Sequence, residues 1–242
     1  MTEPTMIDVA TALRLLTDGE LDIQGRLVDA SNATLFCNVE LEGLAAACVY
    51  KPIAGERPLW DFPEGTLAHR EVAAYAVSEA VGWGVVPPTV MRDGPFGPGM
   101  CQLWIDVDET VDVAALARSD LPQLRRMAIF DAVVNNADRK GGHLLPTTDG
   151  HIFGVDHGVC FSVENKLRTL LWRWRGQRIE PDYLEALQQL RVDLDAALCQ
   201  QLSGLLSAPE LHATRRRIDR LVATRKYPQP SEDWPAVPWP PF

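Results

Sequence analysis

The sequence predicts an α+β fold in two lobes, the first built on strands and the second on helices. Two observations carry that prediction. From residue 20 to 105, short apolar runs alternate with turn residues, with one helical stretch among them. From 106 to 226, apolar residues recur at helical spacing. A third feature concerns residues 227–242, which hold six of the 18 prolines and two of the seven tryptophans. They predict an extended tail laid on the surface with Trp234 and Trp239 docked, because exposed tryptophans are unusual. The expected division is therefore 1–105 and 106–242, the second part ending in that tail.

Taken in order, residues 7–16 show helical spacing (Ile7, Ala10, Leu13, Leu16) and stop at Asp18-Gly19. Short strands follow over 21–28, 34–39 and 45–51, separated by turns at 29–32 and 42–43, so an antiparallel meander is expected. A polar loop leads to a strong helix over 66–81 that Gly82 ends. Two more strands are expected over 85–91 and 99–105. The later helices are expected at 121–135, 165–174, 181–190, 194–206 and 211–226, with two short strands between 136 and 165.

The 242 residues carry a net charge of −10, with 46% hydrophobic and 23% charged residues. That balance suits a globular chain and excludes a protein that coats nucleic acid through a cationic face. Five scattered cysteines without a CxxC pair read as buried thiols of a reducing compartment. The first residues lack a signal-peptide pattern, and no apolar run approaches the ~20 residues that span a bilayer. A soluble cytoplasmic protein with no nucleic-acid partner and no stable membrane association is expected.

The chemistry is expected in FDAVVNNADRKGGHLLPTTDGHIFGVDHGVCF, residues 130–161. Asp138 stands beside Arg139 in a Gly-rich loop that contains His143, and Asp156 ends a strand just before Gly158. Two carboxylates flanking a hairpin suit phosphoryl transfer, one aligning a hydroxyl and the other holding a divalent cation. Each aspartate alone also suits a turn that it caps. Upstream, Lys51 ends a strand and Glu71 lies in the next helix, so the two can pair.

ADRKGGH and VDHG resemble the catalytic loop and metal-binding Asp-x-Gly of phosphatidylinositol 3- and 4-kinases and the related HipA-like kinases. The whole chain is similar to short actinobacterial phosphatidylinositol-kinase-like proteins. The resemblance implies a two-lobed kinase-like fold with ATP and Mg²⁺ or Mn²⁺ in the cleft. By it Asp138 is the catalytic residue, Lys51 contacts phosphate with Glu71 as its partner, and Asp156 holds metal. Gln102, Leu103, Trp104 and Ile105 form the hinge strand that meets adenine, and Ser31 and Asn32 stand where the family has a Gly-rich phosphate loop. The family carries Asn five residues after the catalytic Asp; His143 stands there, so it becomes the second metal ligand and favours Mn²⁺.

The expected activity is transfer of the ATP γ-phosphoryl group to a hydroxyl of a protein, this one included, or of a small molecule. The basic loop by which lipid kinases engage a headgroup is missing. Two alternatives stand beside it. One is a nucleotide-binding pseudokinase, an interaction module. The other is a metal-dependent hydrolase using Asp138, His143, Asp156 and either His151 or His157.

Overall fold

The computed structural model describes residues 7–27 and 32–242, so Ser31 lies outside the described residues. The chain divides into two compact units: Met1–Val72 with Pro87–Trp104, and Ala73–Val86 with Ile105–Phe242.

In the first unit, α1 (Val9–Asp18) begins where the Asp8 carboxylate accepts from the Thr11 amide at 3.0 Å. It must turn at Gly19, where a Cβ would press on the Leu15 carbonyl and the Val39 side chain. Strands β1 (Glu20–Arg26), β2 (Leu35–Leu41) and β3 (Leu44–Pro52) form the expected meander. The β2–β3 turn is two residues long, with Glu42 and Gly43 both at positive φ, as hairpins of matched twist require. Strands β4 (Thr89–Gly94) and β5 (Gly97–Leu103) complete an antiparallel sheet of order β1-β2-β3-β5-β4. Leu15 and Leu16 of α1 pack on Cys37, Val39, Cys48, Tyr50 and Cys101 from that sheet. All five cysteines are free thiols, four of them buried.

Helix α2 (Leu67–Val81) is entered through a loop whose Glu56 carboxylate accepts from the amides of Leu67 (3.1 Å) and Ala68 (2.8 Å). An anion there satisfies two of the amides a helix start leaves without partners. The strand expected from residue 85 begins only at Thr89. Val85 and Val86 instead donate their amides to Ser78 Oγ, and Pro87 and Pro88 intervene.

In the second unit, α3 (Val113–Ala117) precedes α4 (Pro122–Val134), which is buried over most of its length. The hairpin of β6 (Leu144–Pro146) and β7 (Ile152–Gly154) follows. Helices α5 (Pro181–Asp193), α6 (Ala197–Ser203) and α7 (Ala208–Thr224) bury Leu187, Leu190, Leu202 and Ile218 in a common core.

Two expectations fail. Residues 165–174 form no helix: their backbone groups bond to distant partners, Arg168 N–H to the Asn136 carbonyl and Leu170 N–H to the Arg139 carbonyl. Trp172 and Trp174 are nonetheless buried, as an apolar pair must be. Trp239 is not docked; it is 87% exposed, whereas Trp234 lies half-buried under the Lys166 ammonium.

Candidate active site

In the first unit, Lys51 sits near the end of β3 opposite Met100 on β5, and Glu71 lies on α2. Lys51 Nζ and Glu71 Oε1 are 2.6 Å apart, with the carboxylate almost wholly buried. A charge-assisted bond of that length fixes a long, mobile lysine in one direction. Asn32 uses its side-chain oxygen to accept from the Arg57 amide at 2.8 Å. Gln102 is buried and donates to Thr89 Oγ1. The Leu103 amide donates to the Pro88 carbonyl and the Trp104 amide to the Ala47 carbonyl. Trp104 stacks edge-on against Phe36. Ile105 begins the next stretch of the second unit. Two of the hinge amides are thus already used by the sheet.

In the second unit, α4 ends at Asn135, which adopts a left-handed conformation and binds three backbone groups of residues 162–166 through its amide. Asn136 Oδ1 then accepts from the Asp138 amide at 2.9 Å, a local turn that aims the Asp138 side chain. The Asp138 carboxylate remains 27% exposed, 3.0 Å from Lys140 Nζ.

Arg139 turns the other way and is fully buried. Its guanidinium donates to the Asp131 carboxylate at 2.9 Å, to the Val155 carbonyl at 2.9 Å, and to His157 Nε2 at 2.6 Å. Thr169 Oγ1 closes the group on Asp131. One cation therefore ties the loop that carries Asp138 to the residues on both sides of Asp156. Asp131 belongs to no motif of the sequence, although a carboxylate inside an apolar helix is itself a signal that a cation lies close.

Asp156 has a left-handed backbone (φ 61°) and a half-exposed carboxylate, with Oδ2 3.5 Å from His143 Nε2. Burial pulls the His143 pKa down while Asp156 opposes that shift. His143 Nδ1 faces the Lys140 amide as acceptor. A neutral imidazole whose Nδ1 accepts carries its proton on Nε2, turned toward Asp156.

The three histidines of the region do not converge: His151 Nε2 pairs with the Gly84 carbonyl at 2.8 Å and His157 with Arg139. Among the described residues, no three His, Cys, Asp or Glu side chains gather where they could hold a metal ion. A half-exposed carboxylate still fits Mg²⁺ or Mn²⁺ bound in the manner usual with nucleotides, through one or two carboxylates, phosphate oxygens and water.

The chain matches no protein-family model. It is 44% identical to Protein Rv2133c of Mycobacterium tuberculosis over an alignment of 263 residues that covers 94% of each chain. The chain belongs to that protein's family. The chain is similar to phosphatidylinositol 4-kinase gamma 4 of rice, with 30% identity over 56% of this chain and 27% of the plant protein. Among solved structures, this member of the family resembles Fam20 of hydra (TM-score 0.62, 14% identity, 92% and 89% of the two chains). It also resembles the Golgi casein kinase (TM-score 0.58, 14% identity, 89% and 75%). At such identities the likeness shows the fold, and the fold is the two-lobed, kinase-like α+β architecture. No described helix is long and apolar enough to cross a membrane.

Proposed function

We propose that the chain is an ATP- and divalent-metal-dependent phosphotransferase acting on a hydroxyl of a protein, itself included, or of a small molecule. The observation that carries the reading is the 2.6 Å pair of Lys51 and the buried Glu71. A lysine that neutralises a buried carboxylate is also locked in one direction, with its side chain still partly exposed. It suits an anion that it must meet at a fixed point.

In this reading Lys51 neutralises phosphate charge, and Glu71 holds its ammonium in place. Asp138, aimed by Asn136, accepts the proton of the attacking hydroxyl. The new bond joins that oxygen to the γ-phosphorus, the bond from the γ-phosphorus to the bridging oxygen breaks, and ADP departs with the electron pair. The metal, held through Asp156, would supply charge neutralisation on the phosphates. His143, whose Nε2 lies 3.5 Å from Asp156 Oδ2, would orient that carboxylate. Adenine would meet groups of residues 102–105 other than the Leu103 and Trp104 amides. The divergence of His151 and His157 speaks against a hydrolase centre.

Nucleotide binding tests the reading first. Saturating ATP with Mg²⁺ or Mn²⁺ is expected to raise the melting temperature, since a ligand at 100 times its Kd stabilises by about 2.7 kcal/mol. Lys51→Met is expected to remove most of that gain and Glu71→Gln part of it. No shift at millimolar ATP with either metal contradicts the proposal.

A further inference from the structure

The segment after Tyr227 runs back through the second unit to the loop that carries Asp138. It is anchored at several points. The Tyr227 amide donates to the Gln177 carbonyl, and the Lys166 ammonium lies 4.8 Å from the centre of the Trp234 ring. The Ala236 carbonyl accepts twice, from the Thr169 amide at 3.1 Å and from Trp172 Nε1 at 2.7 Å. Finally the Pro241 carbonyl accepts from the Gly141 amide at 2.8 Å. The Phe242 ring lies so close to Gly141 that a Cβ there would overlap it.

Gly141 opens the 3₁₀ turn Gly141–His143, and the first amides of such a turn have no partner within it. The turn follows Asp138 in the chain and ends at His143, which faces Asp156. A carbonyl delivered by the tail therefore satisfies a donor at the point where the loop would otherwise be free to open. Proline suits the task. With six prolines, residues 227–242 have fewer unfolded conformations to lose on docking, and their carbonyls remain available as acceptors. The tail does not cover the candidate catalytic group, since Asp138 stays 27% exposed.

We propose that residues 236–242 are a positioning strut that holds the 139–143 loop in its working conformation, a role that rests on the reading of Asp138 as the catalytic residue. Gly141 is glycine because the Phe242 ring occupies the place of its side chain.

The experiment compares the full chain with one shortened to end at Pro240 and with Phe242→Ala. Amide hydrogen exchange at Gly141 is expected to speed up at least about tenfold in the shortened chain, because its acceptor is gone. Exchange at Thr169, whose acceptor Ala236 remains, should stay as it was. With ATP and Mg²⁺, kcat for ADP release is expected to fall about tenfold in both variants while KM for ATP stays within about twofold, since a misplaced loop costs turnover more than nucleotide binding. Unchanged Gly141 exchange in the shortened chain overturns the strut. So does faster exchange with unchanged kcat. A full-length chain that releases no ADP overturns the kinase reading, and the positioning role with it. An active full-length chain matched by equally active variants overturns the strut alone.

Discussion

Arg139 is the residue on which the loop geometry depends. Its guanidinium, with no solvent exposure, is matched by a buried carboxylate, a carbonyl and an imidazole. Removing one partner of such a pair strands the other charge in a low-dielectric interior. Arg139→Met is therefore expected to lower unfolding stability by about 3–5 kcal/mol, seen as a lower urea midpoint at constant slope. A loss under 1 kcal/mol would show that Asp131 finds other partners. His143 offers a second test at this scale. If it orients Asp156, His143→Asn should lower turnover and leave the ratio of Mn²⁺- to Mg²⁺-supported activity unchanged. A shift of that ratio toward Mg²⁺ would show that the imidazole is a metal ligand, as the family resemblance implies.

Elements whose hydrogen bonds are local were legible in the sequence. The meander of β1–β3 follows from alternation and the Glu42-Gly43 turn, and α2 from its apolar face and Gly82. Residues 165–174 were not legible, because their partners lie about 30 positions upstream at 136–139 and, for Thr169, at Ala236. The entry to α4 and the Trp174 region share one further device. Asp120 accepts from Arg125 and from Trp174 Nε1, and these bonds, Arg125 first, hold its carboxyl below the usual carboxylate range. A depressed pKa contributes stability that is present above the unfolded value, about 3.9, and is lost as pH falls through the lower folded value. Asp120→Asn is accordingly expected to lower the melting temperature more at pH 7 than near pH 3. An equal difference at both pH values would locate the effect in packing rather than in charge. Since the carboxylate is exposed, the effect should be small and should shrink with salt.

At the scale of the whole molecule, the order of chemical groups was the part the sequence carried best. A strand lysine, a helix glutamate, an Asp-Arg loop and a strand-end Asp-x-Gly are spread over 106 positions, and folding pairs Lys51 with Glu71 and His143 with Asp156. What the order could not convey was use: two of the expected hinge amides serve the sheet, and His151 and His157 serve structure rather than a metal. Phosphoryl transfer with Asp138 as the proton acceptor is the central claim, and γ-labelled ATP tests it most directly. With Mg²⁺ or Mn²⁺, the native chain should release ADP and place label on itself or on an added acceptor. Asp138→Ala should bind ATP nearly as well and lose turnover by at least about a hundredfold, as expected when a positioned proton acceptor is removed. Asp156→Ala should lose metal-dependent binding as well. Native protein that binds ATP without forming ADP, or an Asp138→Ala chain that turns over at the native rate, would contradict the account.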